Sequence, residues 1–192
     1  MSITEPSKTS IQLHEFFWLK LMKGYYRTFV KSFGLKGDEM VLDFGCGPGA
    51  ASKFIAQILE TGCGQLTCLD LSKTWIEKAK KHLSQFSNVK YYAEDIRKWE
   101  EKNNYFDVVN IHFMLHDVDK SERQETVKAL AKKMKAGAKL FIREPTKESH
   151  GLSPGEIREL MLNNGLEEID SKTIKRFMMG GMYSGIFGKT GY

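Results

Sequence analysis

The sequence lacks the marks of several protein classes. Its longest apolar runs, such as VVNIHFML, fall far short of the roughly 20 residues that a transmembrane helix needs, so we expect no membrane span. The start of the chain, MSITEPSKTSIQLHEFF, carries charges and a proline where a secretory signal has an uninterrupted apolar segment. The cysteines, Cys46, Cys63 and Cys68, have no CxxC spacing and predict small buried thiols, with neither a disulfide framework nor a metal site. We therefore expect a cytoplasmic protein in which the thiols stay reduced.

Length and charge set the scale of the protein. Its 192 residues, of which 41% are hydrophobic, are enough for one well-buried core and few for two, so we predict one domain, 1–192. A net charge of +5 permits an acidic partner. The lysines, however, alternate with glutamates along predicted helices, as in KTWIEKAKK, which is typical of a solvated helix face. The charge is therefore weak evidence for binding to nucleic acid.

Strand-like and helix-like segments alternate from Met40 onward. The predicted strands cover 40–44, 65–70, 89–93, 106–111 and 138–143, and the predicted helices cover about 50–60, 73–85, 119–135 and 154–164, with a shorter one near Arg97. This alternation predicts parallel strands joined by right-handed crossovers, with helices on both faces of the sheet. Two last strand-like segments, LEEIDSKTIKRF and MYSGIFGK, are joined by a Gly180–Gly181 turn without a crossover helix. We therefore predict an α/β, Rossmann-like three-layer sandwich with a mostly parallel seven-stranded sheet that ends in an antiparallel hairpin.

Local signals mark two helical regions. SIQLHEFFWLKLMKGYYRTFVKSFG, ahead of the first strand, has aromatic residues at roughly helical spacing and predicts one or two helices broken near Gly24. The last helix has Ser153 as a cap, Pro154 at its first position and Glu156 to complete a capping box, and Gly165 ends it. The sequence thus predicts both ends of that helix.

One short stretch, VLDFGCGPG at 41–49, places three glycines and a proline between the first strand and the first crossover helix. In an open parallel sheet, ligands bind at the carboxyl ends of the strands, and this stretch is the first such end. Glycines at 45, 47 and 49 let the backbone turn sharply and approach a ligand, while the helix that follows offers free N–H groups. Asp43 can accept hydrogen bonds from the loop or from a ligand ammonium group. The stretch therefore predicts a ligand-binding loop.

The same stretch closely resembles the first motif, D-x-G-x-G-x-G, of class I methyltransferases that use S-adenosylmethionine, and the resemblance spans most of the chain. CLDLS and YAEDI resemble the ends of the family's second and third strands, and YFDVVNIHFMLHDV resembles its fourth strand and loop. MKAGAKLFI resembles the entry to the fifth strand, with Ala136 and Ala138 as departures in an expected turn. The resemblance implies that S-adenosylmethionine is the cofactor. The cofactor-binding residues that it implies are Asp43, Gly45, Cys46, Gly47, Gly49, Asp70 at the ribose hydroxyls, Leu71 against adenine, Asp95 at the adenine amino group, Ile96 and Asn110.

Two other classes stay open. Gly45-x-Gly47-x-x-Ala50 also satisfies a dinucleotide-binding pattern, and Asp70 could bind the ribose of a nicotinamide cofactor in an oxidoreductase. Asp43, Gly49, Asp95 and the closing hairpin favour the methyltransferase over that class. A protein that keeps the fold and binds the cofactor without turnover is the other alternative.

Candidate acceptor-site residues follow the fourth and fifth strands, where the family places the reactive methyl group. His112 and His116 could each remove a proton from the acceptor, although a histidine at 116 can also simply begin the next helix. Arg143, Glu144 and His150 could orient a charged acceptor or form an ordinary solvated loop.

We expect residues 1–35 to form a helical cap and 36–192 to form the cofactor-binding core, since no other insertion is large enough to cover a site. Tyr25 and Tyr26 are the best candidates to face the substrate, because a phenol combines apolar contact with a hydrogen bond. The other aromatic residues of this region are Phe16, Phe17, Trp18 and Phe29. No appended RNA-binding module and no N/D-P-P-Y or Pro-Cys segment is found, so a small-molecule acceptor is favoured, with protein or RNA as alternatives. The sequence indicates neither the acceptor's identity nor an oligomeric state.

Overall fold

The computed structural model describes residues 22–146, 151–176 and 180–190. The chain forms two compact units, one ending at Asp95 and the other beginning at Ile96, which we call the N-terminal and C-terminal units. The first contains three strands and the second contains four. The predicted fold class is confirmed: a Rossmann-like α/β sandwich with a seven-stranded, mostly parallel sheet that ends in an antiparallel hairpin.

The N-terminal unit alternates helices and strands. Its elements are α1 (Lys23–Lys31), β1 (Met40–Phe44), α2 (Ser52–Leu59), β2 (Gln65–Asp70), α3 (Lys73–His82) and β3 (Val89–Ala93). Strand β2 pairs in parallel with β1 on one side and with β3 on the other. The predicted bounds of all three strands are confirmed. Strands β1 and β2 are buried along nearly their whole length, as is typical of parallel strands covered on both faces.

The C-terminal unit ends in the predicted hairpin. Its elements are β4 (Phe106–His112), α4 (Arg123–Lys133), β5 (Met134–Pro145), α5 (Pro154–Leu162), β6 (Leu166–Arg176) and β7 (Gly180–Lys189), with two single 3₁₀ turns (Leu115–Asp117 and Lys120–Glu122) ahead of α4. Strand β4 pairs in parallel with β5, and β7 is antiparallel to both β5 and β6. The helix ends agree with their signals: the Ser153 hydroxyl accepts a 3.1 Å bond from the Glu156 N–H, and Gly165 has a φ of +70° just beyond α5.

Two predictions for the C-terminal unit are wrong. The segment near Arg97 forms only a turn at 96–98, because the Lys133 ammonium group takes the carbonyls of Trp99 and Glu101 that a continuing helix would use. Strand β5 begins at Met134, four residues before the predicted start, so Ala136 and Ala138 lie in a strand and not in a turn. The strand is irregular there: its pairing with β4 shifts register, and a glycine between the two alanines has a φ of +75°.

Two features of the N-terminal unit also bear on the predictions. Helix α1 includes Gly24 in its first turn, so within the described residues the chain is helical through this glycine. Cys46 and Cys68 are buried as expected, but Cys63 is exposed, because it lies in the turn between α2 and β2. In the part of the chain that the structure describes, no helix combines the length and the apolar character that crossing a bilayer requires.

Candidate functional site

The glycine-rich loop after β1 has three glycines in the left-handed region of backbone conformation. Gly45, Gly47 and Gly49 have φ values of +71°, +51° and +89°, a region that residues with a side chain rarely adopt. The N–H groups of Gly45 and Cys46 both donate to the Leu69 carbonyl of β2, at 2.8 and 3.3 Å. The loop is therefore bound to the end of the neighbouring strand, and it closes on itself through a 3.0 Å bond from the Gly49 N–H to the Cys46 carbonyl.

Asp70 joins this loop to the next one. At the carboxyl end of β2, its Oδ2 accepts the Gly47 N–H at 2.9 Å and its Oδ1 accepts the Ser72 N–H at 2.9 Å. The Ser72 hydroxyl in turn caps α3 by accepting the Trp75 N–H at 3.2 Å. One half-buried carboxylate thus positions two loops and the start of a helix, and its acceptor capacity exceeds these two bonds.

Asp43 anchors the other end of the glycine-rich loop. Its carboxylate is almost fully buried in β1 and accepts a 2.5 Å hydrogen bond from the Ser52 hydroxyl, at the first residue of α2. A negative charge at a helix N-terminus is stabilised by the helix dipole. Sequence reasoning identified Asp43 but missed Ser52. The usable signal was a hydroxyl residue at the predicted start of the helix.

Packing explains one of the glycines. A Cβ on Gly49 would lie 3.2 Å from Cδ1 of Leu83, which follows α3, so a side chain here would have to displace this leucine by a few tenths of an ångström and would also be strained by the φ of +89°. A Cβ on Gly47 would meet no heavy atom within 4 Å, so the space above this glycine is open. Sequence reasoning also missed His82, whose Nδ1 is hydrogen bonded to the Pro48 carbonyl at 2.9 Å. Helix α3 therefore holds the loop from one side and leaves Gly47 accessible.

The remaining cofactor candidates differ in exposure. Leu71 and Asp95 are half-buried, whereas Ile96 and Asn110 are buried. The Cys46 thiol donates to the Gly47 carbonyl at 3.5 Å, and its interaction with the Cys68 thiol, followed by burial, raises the pKa of Cys46 well above its ordinary value. A thiol of this kind is a poor nucleophile, which supports a packing role for Cys46.

Tyr25 and Tyr26 are buried on α1, with their rings edge to face and 5.4 Å between centroids. Burial is the largest cause of the raised pKa of Tyr26, followed by the charges of Tyr25 and Asp43. The two phenols therefore belong to the interior of the N-terminal unit. Phe16, Phe17 and Trp18, which were predicted to share the cap with them, lie outside the described residues, as does His150.

In the C-terminal unit, three polar residues form a row across neighbouring strands. His112 on β4 is paired in register with Arg143 on β5, which is paired with Ser184 on β7. The Arg143 Nε donates to the Ser184 hydroxyl at 3.2 Å. Burial, and then the charge of Arg143, lower the pKa of His112 to about 3, so its imidazole is neutral at physiological pH.

Glu144 has different partners from its neighbour Arg143. Its carboxylate is fully buried, and Oε1 accepts the N–H groups of Met114 and Leu115 at 2.9 and 2.7 Å. Its Oε2 lies 2.6 Å from the Nδ1 of His116. Sequence reasoning listed Arg143 and Glu144 together as groups that orient an acceptor. The structure brings Arg143 to His112 and Glu144 to His116.

The turn between these two histidines is strained. Phe113 has a φ of +55°, although it carries a bulky side chain, and its N–H donates to the Arg143 carbonyl at 2.9 Å. Such strain persists only where surrounding contacts impose it, and it is concentrated at functional sites. Among the described residues, no group of histidine, cysteine or acidic side chains is arranged to hold a metal ion.

A family model identifies the family of this chain, and solved structures share its fold. A family model described as a methyltransferase domain matches residues 41–137, about half of the chain. A SAM-dependent methyltransferase from Aquifex aeolicus has a similar structure, with a TM-score of 0.77 and 17% identity over 97% of this chain and 100% of that one. The 1,6-didemethyltoxoflavin-N1-methyltransferase of Burkholderia thailandensis has a TM-score of 0.73 and 16% identity, over 95% and 85%. The N-methyltransferase NodS of Bradyrhizobium japonicum has a TM-score of 0.71 and 16% identity, over 95% and 93%. The sequence matches none of the curated proteins with which it was compared.

Proposed function

The chain belongs to the class I S-adenosylmethionine-dependent methyltransferases, which makes S-adenosylmethionine its cofactor, and we propose that it methylates a small-molecule acceptor. The observation that carries methyl transfer from this cofactor is the joint geometry of the glycine-rich loop and Asp70. Structural relatives named for small acceptors, such as didemethyltoxoflavin, support the acceptor class. The assignment of residues 1–192 to one domain and a cytoplasmic location stay predictions from the sequence.

The residues of the glycine-rich loop fit this cofactor. Two adjacent ribose hydroxyls are hydrogen-bond donors, and the carboxylate of Asp70, at the carboxyl end of β2 beside the glycine-rich loop, is an acceptor-only group. The open space above Gly47 admits a ligand against the backbone. We assign the remaining contacts as the family resemblance implies, to Asp43, Gly45, Cys46, Gly49, Leu71, Asp95, Ile96 and Asn110.

When bound, S-adenosylmethionine supplies a methyl group that is electrophilic because it is attached to a sulfonium. The protein then has to orient the acceptor, exclude water and, where the acceptor is protonated, receive its proton. Arg143 is positioned to orient an acceptor group, with Ser184 and the neutral His112 beside it. His112 is too weak a base to compete for a proton near neutral pH, since burial lowers its pKa to about 3.

Cofactor choice is tested by thermal unfolding of the purified chain. S-adenosylhomocysteine at a hundred times its dissociation constant should stabilise the native state by about 2.7 kcal/mol, because it binds only the folded protein. NAD and NADP at the same concentrations should leave the melting temperature unchanged. A higher melting temperature with the nicotinamide cofactors and an unchanged one with S-adenosylhomocysteine would favour the oxidoreductase alternative and contradict the proposal.

The acceptor class is tested with labelled S-adenosylmethionine and a cell extract separated by size. We expect the label to appear in the small-metabolite fraction and to persist there after nuclease and protease treatment. Label on macromolecules that RNase or protease releases would show an RNA or protein acceptor instead. Cofactor binding without any labelled product in any fraction would favour a protein that keeps the fold without turnover.

A further inference from the structure

Glu144 occupies an unusual position for a charged residue. Its side chain is fully buried in β5, and its two carboxylate oxygens take part in three hydrogen bonds. Two of them come from backbone N–H groups of Met114 and Leu115, in the loop that follows β4, and fix that loop to β5. The third joins Oε2 to the imidazole of His116 at 2.6 Å. These contacts hold the carboxylate of Glu144 in one position between the loop and the imidazole.

This contact decides which nitrogen of His116 carries a proton. A carboxylate only accepts hydrogen bonds, so this contact favours the neutral ring that donates from Nδ1 and keeps its lone pair on Nε2. The side chain of His116 keeps 20% of its surface accessible, so the ring is not closed off from small molecules. Burial alone would lower the pKa of His116, but the hydrogen bond and charge of Glu144 outweigh it and the net pKa is raised.

Other charged groups face the same imidazole. The Oδ1 atom of Asp117, an exposed side chain, lies 3.4 Å from Nε2 and also favours the protonated ring. Arg123 on α4 opposes protonation, and its guanidinium donates to the His116 carbonyl at 3.2 Å while it is paired with Glu156 at 2.6 Å. The backbone of His116 is thus held from α4 and its ring from β5.

We propose that Glu144 is a positioning residue that holds His116 as the base of the methyl transfer, and that the acceptor bears a proton on its attacking atom, as a hydroxyl group does. The inference rests on the proposed function, because it names the acceptor chemistry of that reaction. It removes Glu144 from the acceptor contacts that the sequence predicted. It also assigns the role of base to His116 and not to His112, because His116 is hydrogen bonded to Glu144 and has a raised pKa, whereas the pKa of His112 is lowered.

In the proposed step, the acceptor hydroxyl gives its proton to Nε2 of His116. The electron pair left on the oxygen forms the bond to the methyl carbon, and the pair of the breaking carbon–sulfur bond stays on sulfur. His116 becomes an imidazolium, and Glu144 remains ionised and stabilises that charge through Nδ1. The proton later leaves His116 for solvent, so no other reactant is needed.

The tautomer and pKa of His116 can be measured without cofactor or acceptor, by long-range ¹H–¹⁵N correlation spectra of the chain between pH 5 and 9. In the wild type we expect His116 to carry its proton on Nδ1 and to titrate above its ordinary value, while His112 stays neutral throughout this range. Glu144→Gln should lower the pKa of His116. Asp107→Asn is the matched control, since it neutralises a carboxylate of the same unit that is paired at the same distance with Lys135, and it should leave the tautomer unchanged. A wild-type His116 with its proton on Nε2 would overturn the inference, even if Glu144→Gln fails to fold.

The kinetic arm uses labelled S-adenosylmethionine with the small-metabolite fraction as acceptor, from pH 6 to 9. Wild-type activity should rise with pH through the raised pKa of His116, and Glu144→Gln should lose about tenfold at the plateau with its midpoint moved to lower pH. Asp107→Asn should follow the wild type. A uniform loss in Glu144→Gln with an unmoved midpoint would assign Glu144 a structural role only. Because the spectra need no cofactor, this failure can be told apart from a failure of S-adenosylhomocysteine to bind.

Discussion

Replacing Asp70 with alanine is expected to weaken binding of S-adenosylhomocysteine by about 30- to 150-fold, or about 2–3 kcal/mol. Two losses add up in this variant. The ribose hydroxyls lose a charged acceptor, and the Gly47 N–H loses the 2.9 Å bond that holds the glycine-rich loop to the end of β2. Ser72 also loses its bond to Asp70, but its hydroxyl keeps the cap of α3. The fold should therefore persist, because Asp70 is half-buried at the end of its strand and not in the core.

Titration calorimetry measures this loss directly. Asp70→Asn keeps the shape and one acceptor oxygen, so its affinity should fall between those of the wild type and Asp70→Ala. Asp107→Ala is the matched control: it also removes an acid with a hydrogen-bonded partner, the ammonium group of Lys135 at 2.6 Å, and it should bind as the wild type does. Equal affinities for Asp70→Ala and the wild type would remove Asp70 from the cofactor site.

The glycine-rich loop and Asp70 could be predicted because their signals are local. The positive φ values at 45, 47 and 49 favour glycine whatever the tertiary contacts of the loop are. An acid at the end of an apolar strand can be recognised from the strand and the turn that follows it. The contacts of Ser52, His82 and Leu83 could not be predicted in this way. They depend on how two helices pack against the loop, which a single sequence does not specify.

The limits of a strand can likewise be predicted where local sequence sets them, but not where pairing with another strand sets them. The first three strands are short apolar runs between turn residues, and their predicted limits are confirmed. The start of β5 could not be predicted, because a register shift against β4 accommodates Gly137 within the strand. Arg143 and Glu144 illustrate the problem for side chains: adjacent residues of a strand point to opposite faces, and so they have different partners.

Replacing Lys133 with methionine should cost about 2–3 kcal/mol of unfolding free energy, although it removes a buried charge. Lys133 ends α4 and keeps only 2% of its surface exposed. Its ammonium group donates to the Trp99 carbonyl, to the Glu101 carbonyl at 2.6 Å and to Asn103 Oδ1 at 2.9 Å, which uses all three of its protons. The Trp99 ring lies 5.1 Å from the same nitrogen. A methionine of similar length would leave three acceptors without these bonds.

Two opposing effects decide the size of this loss. Burial, and then the charge of Lys132, lower the pKa of Lys133, so the positive charge is itself unfavourable in the folded state. The acceptors, however, belong to the segment 99–103, which forms no helix or strand and has these bonds as its link to α4. Thermal unfolding should show a melting temperature lower by roughly 5–10 °C. Lys132→Met, at the exposed neighbouring lysine of α4, is the control and should change stability by less than about 0.5 kcal/mol. Equal melting temperatures for the two variants would mean that relief from the buried charge cancels the loss of the three hydrogen bonds.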